Sequence, residues 1–383
     1  MTTRRSICLT ALCIVSTAAV LPACSPSVPD TLKIGVLVSM SGPAALRGKD
    51  LVNGAQLAVD ELNASNYKIQ GKPVKYELVP ADDKGDPEVA KQEAAKLLEA
   101  GVFAIVGPLL TPEATAVIPL IAAKGTPQLF TATAANLTGL GSGNTLRLLA
   151  NDDLQGRAMA VLAAGDLAGK RIVTVVEAGD YGRGLNAAFG TALPKTGAQV
   201  VATMEVGTKD KVSPEMAAKI KAANADVVVL MARETQLVSL FAALKQVEYT
   251  DVVVLGTNVV RNKNVGALPI PVKALYATAT AIDAGEFPNG KRFLDSFSAK
   301  FGGAPVWGAH YAYDAVYALA DAARRSDSLK SADLLTTLKK IDPDTRVLQN
   351  MRFTEAGEQR FPNIGLYKVE RGGWALQSVS ANW

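Results

Sequence analysis

Short apolar runs and amphipathic stretches alternate along the chain. Residues 32–38 and 227–231 are near-continuous apolar runs, which are typical of parallel strands buried on both faces. Between such runs, apolar residues recur every three or four positions, as at Leu51, Ala55 and Leu62, which indicates helices with one apolar face. The pattern therefore predicts an α/β protein whose parallel sheets are covered by helices on both sides.

The alternation runs through the chain twice. The predicted strands are 32–38, 74–79, 103–106 and 127–130 in the first run, and 171–176, 200–204, 227–231 and 252–255 in the second. A connecting strand at 275–280, three helices and antiparallel strands at 351–353, 364–369 and 374–379 follow. We expect two doubly wound, Rossmann-like lobes, with a ligand cleft where the carboxyl ends of their strands face each other.

The first 24 residues have the pattern of an export signal. Arg4 and Arg5 precede an apolar stretch at 7–20, and the segment that ends at Cys24 resembles the lipobox of bacterial lipoproteins. We expect a signal peptide over 1–23 and a lipidated tether over 24–30, whose acyl chains hold the protein on a membrane. The alternative is an ordinary secretory signal in which Cys24 occurs by chance.

Cysteine, histidine and charge exclude several classes of protein. Cys8, Cys13 and Cys24 are the only cysteines, so neither a disulfide nor a cysteine metal site is expected beyond the signal. The single histidine, His310, argues against zinc and Ser-His chemistry and is expected at a helix start or on the surface. The net charge of +4 falls to +2 without the two signal arginines, and no basic block occurs, which argues against a nucleic-acid partner.

Segments spread over the chain resemble one known family. Residues 32–43 and 53–63 resemble the start of the branched-chain amino-acid (Leu/Ile/Val) binding proteins, the extracytoplasmic solute-binding proteins of ABC transporters. Further similar segments lie, in order, at 82–87, 104–108, 181–184 and 307–315. The resemblance implies the type I periplasmic binding protein fold, in which two lobes joined by a multi-crossing hinge close on a small ligand. It assigns 31–150 plus 283–346 to lobe 1 and 151–282 plus 347–383 to lobe 2.

The resemblance also implies ligand-binding residues. Thr111 matches a position that holds the ligand carboxylate, which suits the start of a helix, although a simple N-cap is the alternative. Thr131 and Thr133 match a pair that binds the carboxylate and the ammonium, with an ordinary polar loop as the alternative. Tyr181 matches an aromatic residue of the cleft in the second lobe, and could instead pack at a helix start.

Three further positions depart from the family pattern. Arg47 and Arg233 stand where amino-acid binders commonly have tyrosines, and Asn258 aligns with the acid that pairs with the ligand ammonium. Because a buried ammonium needs a charged partner, and two arginines suit carboxylates, an anionic ligand is favoured over an α-amino acid. The alternative is that both arginines are solvated at the rim. In that case their candidate partners are Glu234, Asp50 and Asp180.

These observations favour a lipid-anchored receptor for an ABC importer, which binds one small polar solute, closes and docks on a permease of the inner membrane. A monomer in the periplasm is expected, with no cofactor and no metal. The second hypothesis is a sensor or envelope-assembly lipoprotein with the same fold. An enzyme is not expected, because the glycine-rich segment 139–143 lacks the spacing of a dinucleotide fingerprint and no nucleophile-base set occurs.

Overall fold

The computed structural model of the chain describes residues 28–371 and 373–380. The predicted signal peptide and Cys24 lie outside the described residues. The strands are β1 Thr31–Val38, β2 Lys68–Ile69, β3 Lys72–Pro73, β4 Lys75–Asp82, β5 Ala104–Val106, β6 Gln128–Phe130, β7 Thr145–Arg147, β8 Arg171–Glu177, β9 Gln199–Val206, β10 Val227–Met231, β11 Val253–Gly256, β12 Ala274–Ala279, β13 Ile364–Glu370 and β14 Gly373–Ser380. The helices are α1 Ala45–Ala64, α2 Pro87–Glu99, α3 Thr111–Ala123, α4 Asp152–Ala164, α5 Asp180–Ala192, α6 Pro214–Ala222, α7 Glu234–Gln246, α8 Lys263–Gly266, α9 Gly290–Phe301, α10 Ala309–Arg325 and α11 Ser331–Lys340.

The first sheet is parallel throughout, in the order β4-β1-β5-β6-β7. Helices α1 and α10 pack on one face, and α2 and α3 pack on the other. Both faces are therefore apolar, which explains why every residue of β5 and β6 is buried. The order of the strands reverses between β1 and β5, and such a switch point is where doubly wound sheets open a ligand crevice.

The second sheet repeats this arrangement, in the order β14-β13-β12-β11-β10-β8-β9. Strands β8 to β12 are parallel, whereas β13 and β14 join as an antiparallel edge. Helices α4 and α5 cover one face, and α6 and α7 cover the other. The switch point lies between β8 and β10, so the residues that follow these two strands face the same crevice.

Three segments cross between the two halves. They connect β7 to α4, β12 to α9, and the stretch after α11 to β13. In the second crossing, the backbone N–H groups of Ile282 and Asp283 donate to the hydroxyls of Tyr311 and Tyr367, at 3.1 and 3.2 Å. The predicted fold, two doubly wound lobes with a multi-crossing hinge, is confirmed.

The predicted lobe boundaries stay a prediction, and the packing of two segments bears on them. Val347 and Phe353 belong to the core of the first sheet, although the predicted boundary gives 347–383 to the second lobe. We therefore propose that the chain returns to the second lobe between Phe353 and β13. Within the predicted tether, Val28 is also buried in the first core, and its carbonyl accepts a hydrogen bond from Lys72 Nζ at 2.7 Å.

Some local predictions are wrong. Residues 351–353 form no strand and contribute only a single bridge, from Phe353 to Gln359. The strand β7 was not predicted, because two of its three residues, Thr145 and Arg147, are polar and form no apolar run. His310 does lie at a helix start, in α10, but it is buried between Phe287 and Phe293 rather than on the surface. Burial lowers its pKa to about 4, so His310 is neutral at physiological pH.

Candidate functional site

A cavity of about 410 Å³ lies between the carboxyl ends of the two sheets, and we call it the cleft. It is lined by Arg47, Leu109, Leu110, Thr111, Pro112, Thr115, Thr131, Thr133, Glu177, Asp180, Tyr181, Arg233, Asn258, Val259 and Trp307. All seven ligand residues predicted from the sequence are among them, four from the first half and three from the second. The structure thus brings together the seven predicted residues, which are spread over 211 positions from Arg47 to Asn258. The volume of the cleft is that of a typical small-molecule site, which spans roughly 300–1,000 Å³.

The wall of the first half has donors that no side chain satisfies. Helix α3 begins at the cleft, and its N-cap is Leu110, which has no polar side chain with which to cap the helix. The alternative that Thr111 is the N-cap is therefore wrong. Thr131 is 3 % exposed, and its hydroxyl has no hydrogen-bond partner among the described residues. A helix N-terminus next to such a hydroxyl favours a negatively charged group.

Thr133, on the same wall, is held from behind by a buried carboxyl group that the sequence analysis missed. The backbone N–H of Asp152 donates to the carbonyl of Thr133 at 2.8 Å, and the hydroxyl of Thr133 bonds to the Asp152 side chain. Burial raises the pKa of Asp152 to about 6. Asp152 begins α4, directly after the first crossing, and its position next to the hinge was the one available signal.

The loop that carries Thr131 and Thr133 is fixed by Arg147, which has no exposed side-chain surface. Its guanidinium donates to the carbonyls of Ala132 and Ala134 and forms an ion pair with Glu358, with Nε 3.0 Å from Oε2. It also stacks 4.9 Å from the centroid of the Phe130 ring. Arg147 thereby connects Glu358, in the third crossing, to the loop that carries Thr131 and Thr133 on the wall of the first half.

On the wall of the second half, Tyr181 orients Asn258. The Tyr181 hydroxyl lies 2.9 Å from Asn258 Oδ1 and 3.0 Å from Thr257 Oγ1. Since Oδ1 can only accept, Tyr181 donates to it, and the Thr257 hydroxyl can then donate to Tyr181. Burial, followed by the charge of Asp152, raises the pKa of Tyr181 far above its usual range, so this hydroxyl keeps its proton.

Arg233 forms an ion pair with Glu177, the last residue of β8. Arg233 Nε lies 2.8 Å from Glu177 Oε2, and its second contact, from Nη2 to Oε1, is 3.2 Å. The Glu177 side chain is 2 % exposed, whereas that of Arg233 is 52 % exposed. The predicted alternative partners Glu234, Asp50 and Asp180 are therefore not the ones used. Glu177 was missed, although an acid that ends an apolar strand run is a visible signal.

Arg47 faces the cleft from the first half. Its guanidinium carbon lies 5.8 Å from the ring centroid of Trp307, which is a cation–π distance. Trp307 is itself held by Asp50, whose carboxylate accepts its backbone N–H at 2.9 Å. Burial lowers the pKa of Arg47, and the like charge of Arg233 lowers it further. Both arginines line the cleft, so their like charges disfavour a further cation there.

Other features of the described residues do not suggest a competing site. Two larger hollows, of about 570 and 700 Å³, lie at α6–α7 and beside α1 and α10, and neither is lined by any of the seven predicted residues. No group of three or more metal-binding side chains occurs in residues 28–371 and 373–380. Among those same residues, no helix combines the length and the apolar character needed to cross a bilayer.

Comparison with known proteins agrees with this geometry. The family described as periplasmic binding protein matches residues 31–373. The Leu/Ile/Val-binding protein BraC3 of Rhizobium johnstonii is 29% identical over 343 residues, which cover 89% of this chain and 92% of that protein. The branched-chain amino acid binding protein LivJ of Streptococcus pneumoniae, solved with isoleucine, has a TM-score of 0.76 and 23% identity, over 91% of this chain and 99% of that one.

A second solved structure carries a different solute. The solute binding protein of an ABC transporter from Rhodopseudomonas palustris, in complex with 3,4-dihydroxy benzoic acid, has a TM-score of 0.75 and 20% identity. The alignment covers 92% of this chain and 97% of that chain. Both solved structures have the same fold as this chain. On the match of the family over residues 31–373, this chain belongs to the periplasmic binding protein family.

Proposed function

We propose that the protein is the extracytoplasmic substrate-binding lipoprotein of an ABC importer, and that it binds one small carboxylate-bearing solute in the cleft. The observation that carries this proposal is the cleft itself, whose lining comes from both sheets and includes all seven predicted residues. A solute that touches both walls stabilises the closed arrangement of the lobes, which an importer permease can then recognise.

The first wall supports a carboxylate as the group that anchors the solute. The start of α3, the Thr111 position and the unpartnered Thr131 hydroxyl together provide donors but no charged acceptor. The solutes of the two solved relatives, isoleucine and 3,4-dihydroxy benzoic acid, both carry a carboxylate. A carboxylate, which both solutes carry, suits the donors of the first wall, and we propose that the second wall selects the remainder of the solute.

A lipid anchor at Cys24 is the second part of the proposal. A diacylated cysteine would hold the protein at the membrane surface, since acyl chains gain about 0.8 kcal/mol for each buried methylene. The partner would be a permease of the inner membrane, and the protein would act as a monomer. The alternative is a sensor or envelope-assembly lipoprotein, which would bind its solute through the same cleft but require no permease.

The lipid anchor is tested by Cys24→Ser. We expect the wild-type protein to sediment with membranes, and the variant to appear in the soluble extracytoplasmic fraction or as uncleaved precursor. The reason is that the serine hydroxyl cannot accept the thioether-linked diacylglycerol. Cys8→Ser, within the predicted signal, is the matched control and should leave the sedimentation unchanged. Wild-type protein that is fully soluble would favour the ordinary secretory signal.

Binding at the first wall is tested by Thr111→Val, which keeps the shape of the side chain and removes its hydroxyl. A panel of leucine, isoleucine, 3,4-dihydroxybenzoate and aliphatic carboxylates is screened by thermal shift. A solute present at 100 times its Kd should stabilise the protein by about 2.7 kcal/mol. We expect the variant to bind the selected solute about 10-fold more weakly, because one hydrogen bond to a charged group is lost.

The matched control is Thr191→Val, on the exposed face of α5, where the threonine hydroxyl donates to the carbonyl of Ala187 at 2.9 Å. It should leave the affinity unchanged. Equal affinities in wild type and Thr111→Val would contradict the placement of the carboxylate at α3.

A further inference from the structure

The second wall of the cleft offers hydrogen-bond donors that are already oriented. The Arg233 guanidinium donates from Nη2 to Glu177 Oε1 at 3.2 Å, and its Nε forms an ion pair with Glu177 Oε2 at 2.8 Å, so the group is held from behind by this carboxylate. Because the side chain is half exposed and lines the cavity, its other donors remain available to a solute. A guanidinium fixed in this way is suited to a planar, bidentate acceptor such as a carboxylate.

Asn258 adds a second oriented donor. Its carbonyl oxygen is taken by the Tyr181 hydroxyl at 2.9 Å, so its amide N–H₂ is the part left for a solute. The second wall therefore offers donors from Arg233 and Asn258. Glu177 orients the first of these side chains, and Tyr181 orients the second.

The acceptors on this wall are poorly placed for a solute ammonium. Glu177 is 2 % exposed and already compensated by Arg233, while Asp180 lies exposed at the start of α5, where water screens its charge. A cation in the cleft would also face the like charges of Arg47 and Arg233, both of which line it. Burial of a charge without a partner is strongly unfavourable.

Apolar side chains also line the cleft on both sides. Leu109 and Leu110 line the cleft on the side of the first half, and Val259 lines it on the side of the second half. A solute that bridges the walls would therefore place an apolar spacer against these residues and a polar group at each end.

From these contacts we infer that the solute is a dicarboxylate, with one carboxylate at the start of α3 and the other on Arg233 and Asn258, across an apolar spacer. Glu177 acts as a positioning residue for Arg233. This inference rests on the proposed solute-binding function and narrows it to one class of solute. It also gives a physical reason for two of the three departures from the family pattern, Arg233 and Asn258, since an arginine and an amide replace groups suited to an ammonium.

The test is isothermal titration calorimetry on the purified mature protein, with pairs of probes that differ in one carboxylate. The pairs are glutarate and valerate, adipate and hexanoate, and terephthalate and p-toluate, with leucine as a separate probe. At least one dicarboxylate should bind about 10- to 100-fold more tightly than its monocarboxylate partner, because hydrogen bonds to a second charged group are gained.

Variants of the second wall test whether it is the source of the preference for dicarboxylates over monocarboxylates. Arg233→Gln should remove most of the preference, and Arg233→Lys should restore only part of it, since an ammonium cannot present the same fork. Glu177→Gln should also lower the ratio of dicarboxylate to monocarboxylate affinity. If Glu177 only supported the fold, both affinities would change together and this ratio would stay the same. Arg183→Gln, an exposed arginine on α5 whose Nε lies 3.4 Å from Glu205 Oε1, is the matched control and should keep the preference.

Failure of this inference differs from failure of the proposed function. If leucine or the monocarboxylates bind as tightly as every dicarboxylate while depending on Thr111, the dicarboxylate inference is overturned and the function stands. Leucine binding that is lost in Glu177→Gln and kept in Arg233→Gln would instead assign an ammonium to Glu177. Absence of binding by all three dicarboxylates also overturns the inference. Solute binding that is insensitive to Thr111, Arg47 and Arg233 alike would overturn the proposed function itself.

Discussion

Arg147→Met is expected to lower the free energy of unfolding by about 3–5 kcal/mol, the usual loss when one partner of a buried ion pair is removed. The guanidinium is fully buried, and its removal takes a donor from the carbonyls of Ala132 and Ala134 and leaves Glu358 with only the neutral donors of Thr138 and Asn151. Methionine replaces most of the volume, so the loss comes from hydrogen bonds and charge rather than from a cavity. Solute binding should fall as well, because the same contacts fix the loop that carries Thr133.

Equilibrium unfolding in urea measures this loss, with binding measured separately at a temperature where the variant is folded. The matched control is Lys91→Met, which removes an exposed lysine paired with Glu88 on α2 at 2.7 Å. Its unfolding free energy should change by no more than about 0.5 kcal/mol. Comparable stability of the two variants would show that the Arg147–Glu358 pair does not hold the loop.

Asp314→Ala is expected to lower the free energy of unfolding by about 3 kcal/mol or more. Asp314 lies in α10 with no exposed surface, and its carboxylate accepts the backbone N–H groups of Arg346, Val347 and Leu348, at 2.7, 3.0 and 2.6 Å. Alanine would leave the buried donors of Val347 and Leu348 and the part-buried donor of Arg346 without their acceptor, and each buried unsatisfied donor costs roughly 1–3 kcal/mol. The third crossing between the lobes would then lose one of its anchors on the first half, while the Arg147–Glu358 pair remains.

Urea unfolding again gives the magnitude, and hydrogen exchange of the amides at 346–348 identifies the segment affected. Asp295→Ala on α9 is the control, because that aspartate is exposed and pairs only with Lys291 four residues earlier. Its stability should remain within about 0.5 kcal/mol of wild type. Retained protection of the three amides in Asp314→Ala would contradict the anchoring role of the carboxylate.

The fold was predictable because burial on both faces leaves a clear trace in the sequence. All five residues of β10 are apolar and buried, and they were assigned directly. The same reasoning failed where an element is short or polar. Strand β7 ends at Arg147, a residue type that predicts exposure, and only the tertiary partners Glu358 and Phe130 explain its burial.

The candidate site was predictable as a set of positions, but the contacts between them were not. The rule that ligands lie beyond the carboxyl ends of strands, together with the family resemblance, placed all seven residues, and the structure brings them to one cavity. The Glu177–Arg233 pair joins residues 56 positions apart, across the switch point between β8 and β10. No periodicity in the sequence encodes such a pair, so the sequence suggested the wrong partners for Arg233.

The central claim is that both walls grip one solute between the sheets, and a crystal structure with the bound solute tests it most directly. The protein should be crystallised with the solute that it retains on purification, or with the tightest ligand of the binding panel. We expect density for a single small molecule inside the cleft, with a carboxylate at the first turn of α3 and its far end on Arg233. An empty cleft, with the compound bound elsewhere on the molecule, would contradict the account.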